Sequence, residues 1–156
     1  DISAEAGPGL AVRKVSRGAS FGDYDSDGDV DIFVVNLNDT PTLLRNDFAG
    51  ESNWLFVQVE GGKKVNRDGV STRVRLKTAD GREQLRVVDG AGSYISHSDI
   101  RAHFGLGAST QVAELAITWP DGTVQQLGPL PANKLVTIRQ AESPPRILKL
   151  GQSPEQ

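Results

Sequence analysis

The sequence predicts an all-β protein whose main part is an antiparallel sandwich or barrel. Short runs of β-branched and aromatic residues recur at about ten-residue intervals, as in known antiparallel folds. Glycine and proline, 17 and 8 residues respectively, lie between these runs. No segment shows the period of an amphipathic helix. Short strands joined by short turns are typical of antiparallel sheets that pack face to face.

Seven segments have the composition of strands, and several alternate between apolar and polar residues. They are Val30–Leu37, Trp54–Glu60, Thr72–Thr78, Gln84–Val88, Val112–Trp119, Thr123–Leu127 and Leu135–Arg139. Val74 and Leu76 alternate with basic residues, which predicts one buried and one wet side. Leu115, Ile117 and Trp119 share one face in the same way. The run VDIFVV carries apolar residues on both faces, which indicates a central strand.

Two Asp-Gly pairs mark the tightest turns. Asp80-Gly81 and Asp121-Gly122 each separate two predicted strands. Glycine readily adopts the positive φ that short hairpins require. Both pairs therefore predict β-hairpins.

The chain divides into three predicted parts. Residues 1–50 contain an acidic loop in a hairpin, residues 51–141 form the larger β domain, and residues 142–156 form an extended or mobile tail. The tail is expected from Pro144-Pro145 and its polar end.

Composition excludes several classes of function. The chain has no cysteine, so disulfides, thiolate metal sites and cysteine nucleophiles are excluded. It contains no apolar run long enough to cross a bilayer, and no leader is visible at its start. The net charge is −3 and the basic residues are scattered, which makes nucleic acid a poor partner.

The stretch FGDYDSDGDVDI at residues 21–32 places five aspartates at alternate positions. They are Asp23, Asp25, Asp27, Asp29 and Asp31. Carboxylates at this density repel one another unless a hard cation lies between them. Calcium accepts six to eight oxygen ligands in irregular geometry, so this loop predicts a calcium site. In that site Gly28 would permit the turn and Asp29 would offer its main-chain carbonyl.

An EF-hand, a magnesium site and a solvated acidic turn are the alternative interpretations of the loop. An EF-hand requires a glutamate at its twelfth position and flanking helices, whereas Val34 stands there in a β-branched run. Magnesium prefers strict octahedral geometry with retained waters, which suits such a cage less well. A solvated acidic turn would rarely gather five aspartates around one glycine.

The segment FGDYDSDGDVDIFVVN resembles the FG-GAP/VCBS repeat, together with the preceding DISAEAGPGL and the following TLLRND. The resemblance implies a calcium loop in a hairpin of a propeller blade. It assigns the metal ligands to Asp23, Asp25, Asp27 and Asp31, with Asp29 acting through its carbonyl.

Residues 45–140 resemble the ASPIC/UnbV domain. The resemblance rests on RND, NWLFVQVEG, NRDGVSTRV, GAGSYISHS, HFGLG, ITWPDG and LPANKLVTI in that order. The family usually has Gly-Ala where this chain has Ser71-Thr72, which places the conformation of that loop in question. The family implies an extracellular or cell-surface protein, with a role in adhesion or matrix contact, and it supplies no catalytic chemistry.

Other candidate sites are better explained as structure. Asn66–Gly69 is composed of turn-forming residues. His97 and His103 have serines nearby, but no GxSxG turn accompanies them. Gly105–Gly107 lacks the third glycine and helix of a phosphate loop. The aromatic residues Trp54, Phe56, Tyr94 and Trp119 are expected to fill the core rather than to line a sugar platform.

The sequence thus predicts an antiparallel β-sandwich-like domain preceded by a propeller-blade-like calcium-loop hairpin. The expected function is a non-catalytic, calcium-binding adhesion or binding module, with an extracellular protein or glycan as ligand. Its expected location is extracellular or at the cell surface, or periplasmic in a bacterium. The blade would pack on the larger domain, pair with another copy of the chain, or stand beside neighbouring blades as the last blade of a longer propeller. The alternative is a calcium-dependent carbohydrate-binding or hydrolytic domain of a larger secreted protein.

Overall fold

A computed structural model describes residues 5–47, 50, 52–92, 94, 96–142 and 144–148. The chain forms two compact units. The first contains residues 1–25, 29–48 and 91–99, and the second contains residues 26–28, 49–90 and 100–156. Among the described residues, no helix is long and apolar enough to traverse a lipid bilayer.

The first unit is built on a three-stranded antiparallel sheet. Its strands are β1 (Ser16–Gly22), β2 (Asp31–Asn36) and β3 (Thr42–Leu44), in that spatial order, and a 3₁₀ turn at Pro8–Ala11 precedes them. The run VDIFVV is therefore the central strand, as predicted. It is not enclosed on both faces, because Phe33 is 42% exposed and its neighbours are half-buried.

The described residues of the second unit form nine strands in two sheets. The strands are β4 (Asn53–Glu60), β5 (Arg73–Thr78), β6 (Glu83–Val87), β7 (Ala102–Gly107), β8 (Gln111–Thr118), β9 (Val124–Leu127), β10 (Leu130–Pro131), β11 (Lys134–Arg139) and β12 (Arg146–Leu148). One sheet has the order β10-β8-β5-β6, with β9 also paired to β8, and the other has the order β12-β11-β4-β7.

The core of the second unit lies between the inner faces of these sheets. Leu55, Val57 and Val59 project from β4, while Leu115 and Ile117 project from β8 into the same cluster. The alternation predicted for TRVRLKT is confirmed, since Val74 and Leu76 are fully buried. All-β architecture with a sandwich-like arrangement is thus confirmed.

One pairing departs from the purely antiparallel expectation. Strand β11 runs parallel to β4, with Val136 opposite Val57. A parallel pair requires a long crossover, and the 73 residues between Glu60 and Lys134 supply it and include all five strands of the other sheet.

All seven predicted strands are present, whereas five shorter or glycine-rich strands were missed. The missed strands are β1, β3, β7, β10 and β12. Strands β1 and β7 contain glycines that read as turn residues, and β3, β10 and β12 have only two or three residues. Strand β12 lies within the segment predicted as an extended or mobile tail and pairs antiparallel with β11.

The two Asp-Gly pairs form the predicted hairpins. Gly81 joins β5 to β6 with a φ of 87°, and Gly122 joins β8 to β9 with a φ of 84°. Of the aromatic residues expected in the core, Trp119 and Phe56 are buried and Trp54 is half-buried. Tyr94 corrects this expectation, since it lies on a turn and is 70% exposed.

Candidate metal centre

The acidic loop connects β1 to β2 in a sharp reversal. Ser26 and Gly28 both have positive φ, 64° and 103° respectively, so the main chain turns tightly at the tip. Glycine adopts this conformation without steric cost, as the sequence predicted for Gly28. Asp23 and Asp31 stand at the buried base of the loop, while Asp25 and Asp27 are exposed.

Three of the five predicted ligands converge. Asp23, Asp25 and Asp27 each place a ligand oxygen within 4.8 Å of the other two. A hard cation bound among them would take three carboxylate oxygens, the donor type that calcium prefers. The chemistry and spacing of these donors therefore fit a calcium ion.

Asp31 holds the two ends of the loop together. Its Oδ2 accepts a hydrogen bond from the main-chain N–H of Tyr24 at 3.0 Å, and its Oδ1 accepts one from Asn46 at 2.8 Å. The residue is only 2% exposed. A carboxylate oxygen has two lone pairs, so these bonds leave capacity on each oxygen for a cation.

Asp29 is half-buried and its carboxylate is not part of the convergent group. The sequence assigned its main-chain carbonyl, not its carboxylate, to the metal. That assignment stays a prediction.

Gly28 lies directly against Trp54, which sequence reasoning did not connect with the loop. A Cβ placed on Gly28 would lie 2.0 Å from Nε1 and 2.1 Å from Cε2 of the indole. Only a residue without a side chain allows this approach. No feature of the sequence indicates that β4 and the loop tip meet.

A cavity of about 250 Å³ opens in the first unit beside the base of the loop. Its lining combines carboxylates, an imidazole and apolar side chains: Ser20, Phe21, Gly22, Asp23, Tyr24, Asp31, Phe33, Leu43, His97 and Asp99. The segment carrying His97 reaches this cavity because the N–H of Asp99 bonds to the carbonyl of Phe21 at 2.8 Å. Phe21 in turn donates its N–H to Ser98 Oγ at 3.2 Å.

The other candidate residues have structural partners. Asn66 bonds Val70 twice, accepting from its N–H at 2.8 Å and donating to its carbonyl at 3.0 Å, which makes the predicted turn. His103 packs against Phe56 with ring centroids 4.7 Å apart and ring planes inclined by 46°. Gly105–Gly107 belongs to β7 and forms no phosphate loop.

Perturbed carboxylates at hairpin turns in the second unit reflect local structure. The hydroxyl of Thr78 lowers the pKa of Asp80, with a further contribution from Arg82. The hydroxyl of Thr123 likewise lowers the pKa of Asp121. Both aspartates belong to the Asp-Gly turns, where bonds to nearby residues stabilise the carboxylate.

The fold and the acidic loop together define a class of protein. It is a small all-β module whose most distinctive feature is a cluster of three carboxylates. Comparison with known families is more specific. The model of the family "ASPIC and UnbV" matches residues 62–145. This chain belongs to that family.

Three relatives share the name Cartilage acidic protein 1. The mouse protein is 28% identical over 123 residues, covering 76% of this chain and 19% of the relative. The human protein is 28% identical over 123 residues, covering 76% and 18%. The Xenopus tropicalis protein is 30% identical over 126 residues, covering 77% and 19%. The chain thus spans about a fifth of the length of these relatives, and the acidic loop precedes the family match.

Proposed function

We propose that this chain is a non-catalytic, calcium-binding module of an extracellular or cell-surface protein, in which the ion stabilises the hairpin. The observation that carries the proposal is the convergence of oxygens from Asp23, Asp25 and Asp27. The resemblance of the loop to the FG-GAP/VCBS repeat supports the same ion. The name of the relatives, which refers to cartilage, supports an extracellular location.

The physical role of the ion follows from charge. Three carboxylates in one small volume destabilise the hairpin while they remain without a counter-charge. A bound divalent cation removes most of that repulsion and fixes the loop. Because the ion binds the folded hairpin and not the unfolded chain, it stabilises the fold by mass action.

Calorimetric titration with calcium tests the proposal. We expect one site with a Kd of about 10⁻⁴–10⁻³ M, the range of extracellular calcium modules. Asp25→Asn removes the charge of an exposed ligand while conserving its shape, and should weaken binding at least about tenfold, or 1.4 kcal/mol. Asp68→Asn, in an exposed turn of the other unit, is the matched control and should bind like the original protein. Absence of calcium binding at 10 mM would refute the proposal.

A second candidate function is calcium-dependent carbohydrate binding. The cavity favours it, since Asp23 both lines the cavity and belongs to the convergent group. Tyr24 and Phe33 offer aromatic surface there, and aromatic rings commonly pack against ligands in such sites. A calcium bound to Asp23 would face any hydroxyl group that enters.

Binding to a panel of glycans and matrix proteins, with calcium and with chelator, distinguishes the two functions. Calcium-dependent glycan binding that Tyr24→Ala abolishes would establish the second candidate. Protein binding that is unchanged in Tyr24→Ala would support the adhesion module and would mean that the partner binds outside the cavity.

The sheet of the first unit indicates a further partner. Among the described residues, β3 pairs only with β2, whereas the main-chain N–H and carbonyl of Phe21 in β1 are already bonded to Ser98 and Asp99. The outer edge of β3 is therefore the open one. Open edges of this kind accept another strand. We propose that a neighbouring blade or a second copy of the chain occupies an edge, which sedimentation at several protein concentrations would show as self-association in the second case.

A further inference from the structure

We infer that Trp54 is a positioning residue for the calcium loop, holding the turn at Gly28 in the conformation that brings Asp27 to the ion. This inference rests on the proposed calcium function and adds a residue to it. It is carried by the close approach of Gly28 to the indole, a contact within the second unit.

The approach leaves no space for any side chain at residue 28. A Cβ at residue 28 would overlap three atoms of the indole, and Cδ1, at 2.7 Å, would be the most distant of the three. Gly28 is buried and its φ is 103°. The turn is thus constrained twice, by its backbone conformation and by the ring against which it packs.

Main-chain hydrogen bonds hold the residue that carries the indole. The main-chain N–H of Trp54 donates to Asn133 Oδ1 at 3.1 Å, and its main-chain carbonyl accepts from the N–H of Asn133 at 2.7 Å. Its ring meets Phe56 edge to face, with centroids 5.6 Å apart. The guanidinium of Arg101 covers Phe56 at 4.7 Å from the ring centroid. Trp54 is therefore a fixed surface for the loop tip.

Such a surface should raise calcium affinity by preorganisation. The free loop carries mutually repelling carboxylates, which favour open conformations. Calcium binding must then also order the turn. The entropy cost of fixing the backbone of one residue corresponds to about a tenfold loss of calcium affinity. Packing of Gly28 on Trp54 supplies that order before the ion arrives.

Substitution of Trp54 tests the inference. We expect Trp54→Ala to weaken calcium binding about tenfold, and Trp54→Phe, which keeps an aromatic surface, to weaken it less. The melting temperature in chelator separates a positioning role from a general loss of stability. Weaker binding without a matching loss of melting temperature supports the inference, whereas an unchanged Kd overturns it.

Fluorescence provides a test that does not depend on how well Trp54 variants fold. The chain has two tryptophans, and the other, Trp119, is buried with its indole N–H donated to Gln125. In Trp119→Phe with chelator present, Gly28→Ala should change the emission of Trp54, because the ring and the turn are in contact before the ion binds. Unchanged Trp54 emission on this substitution overturns the inference.

A double-mutant cycle isolates the contact. Gly28→Ala should weaken binding more in the original protein than in Trp54→Ala, because the clash with the ring exists only in the former. Gly122→Ala is the matched control, since Gly122 also has positive φ but has open space around it. It should leave calcium affinity unchanged. Equal effects of Gly28→Ala in both backgrounds would overturn the inference.

The two proposals fail in different ways. If the original protein binds no calcium, the proposed function is wrong and the inference falls with it. If the original protein binds calcium but the Trp54 variants bind it equally well, the function stands and only the positioning role is wrong.

Discussion

The two units bury different kinds of residue. In the described part of the second unit, the fully buried side chains are mainly aliphatic and aromatic, and most of them form a single cluster between two sheets. In the described part of the first unit, the buried side chains are Asp23, Asp31 and Asn36, while Phe21, Phe33 and Leu43 remain almost half exposed. The second unit has the core of an independent domain, whereas the first relies on polar contacts.

This difference assigns different sources of stability to the two units. Burial of apolar surface, at about 25 cal/mol per Å², stabilises the second unit. The first unit gains from hydrogen bonds such as those of Asp31, whose net contributions are about 1 kcal/mol each. A ligand that binds the acidic loop would therefore have a proportionally larger effect on the first unit.

The largest expected effect is that of a core truncation. Leu115→Ala in the second unit removes a fully buried side chain and should lower the free energy of unfolding by about 2–5 kcal/mol. Phe33→Ala in the first unit should lower local stability by only about 1 kcal/mol, because the ring is partly exposed. Urea denaturation measures the former and hydrogen exchange of β2 amides the latter. Equal losses would contradict the proposed contrast between the units.

Calcium should produce the next largest effect, which we expect mainly in the hairpin of β1 and β2. At ten times its Kd the ion adds about 1.4 kcal/mol, which slows exchange of amides that open with the hairpin about tenfold. Amides of β2 should respond, and those of β5 and β8 should not. Exchange spectra with calcium and with chelator make this comparison, and Asp25→Asn should abolish the difference. Uniform slowing across both units would show that they open together.

A smaller effect is expected where the second unit departs from its family's pattern. Ser71 has a φ of 75°, a conformation that glycine adopts more easily, and the buried hydroxyl of Thr72 has no hydrogen-bond partner. Restoring the family residues with Ser71→Gly and Thr72→Ala should each stabilise the unit by about 1 kcal/mol. Urea denaturation measures the gain. Calcium affinity should not change, and a change in it would indicate that this loop influences the metal centre.

The sequence predicted the second unit better than the first for the same physical reason. Alternating apolar residues such as Val74 and Leu76 identify strands that bury one face, and turn residues such as Gly122 identify their connections. Strand β1 gave no such signal, because its SRGASFG composition has few apolar side chains. Alternation of apolar and polar residues identifies strands that bury one face. It therefore does not identify a sheet that buries few apolar side chains.

At the candidate site, contacts between residues close in sequence were predicted and contacts between residues distant in sequence were not. Local spacing was sufficient to predict that Asp23, Asp25 and Asp27 would converge, because they lie on one short loop. It did not reveal the approach of Trp54 to Gly28 or of Asp99 to β1, which join residues distant in sequence. Such contacts depend on tertiary structure, and one chain alone carries no local pattern for them.

The smallest expected effect concerns an exposed carboxylate in each unit. The hydroxyl of Thr123 lowers the pKa of Asp121 in the second unit, and the N–H of Thr40, followed by Lys14, lowers that of Asp39 in the first. Because the pKa of each carboxyl group is lower in the folded state, each carboxylate stabilises the fold at pH values above the pKa of the unfolded chain, near 3.8. That contribution disappears as the pH falls through the folded pKa.

Asp121→Asn should therefore reduce stability slightly at pH 7, and this loss should shrink as the pH falls below 3.8 and through the folded pKa. Urea denaturation at pH 7, 4 and 2 follows this convergence. Asp39→Asn is the counterpart in the first unit, and its effect should appear in hydrogen exchange of β2 rather than in the main urea transition. If the stability difference between Asp121→Asn and the original protein is the same at all three pH values, its cause is the loss of side-chain hydrogen bonds and not the loss of charge. An effect of Asp39→Asn on the main transition would mean that the two units unfold cooperatively, so that the polar first unit draws stability from the apolar core of the second.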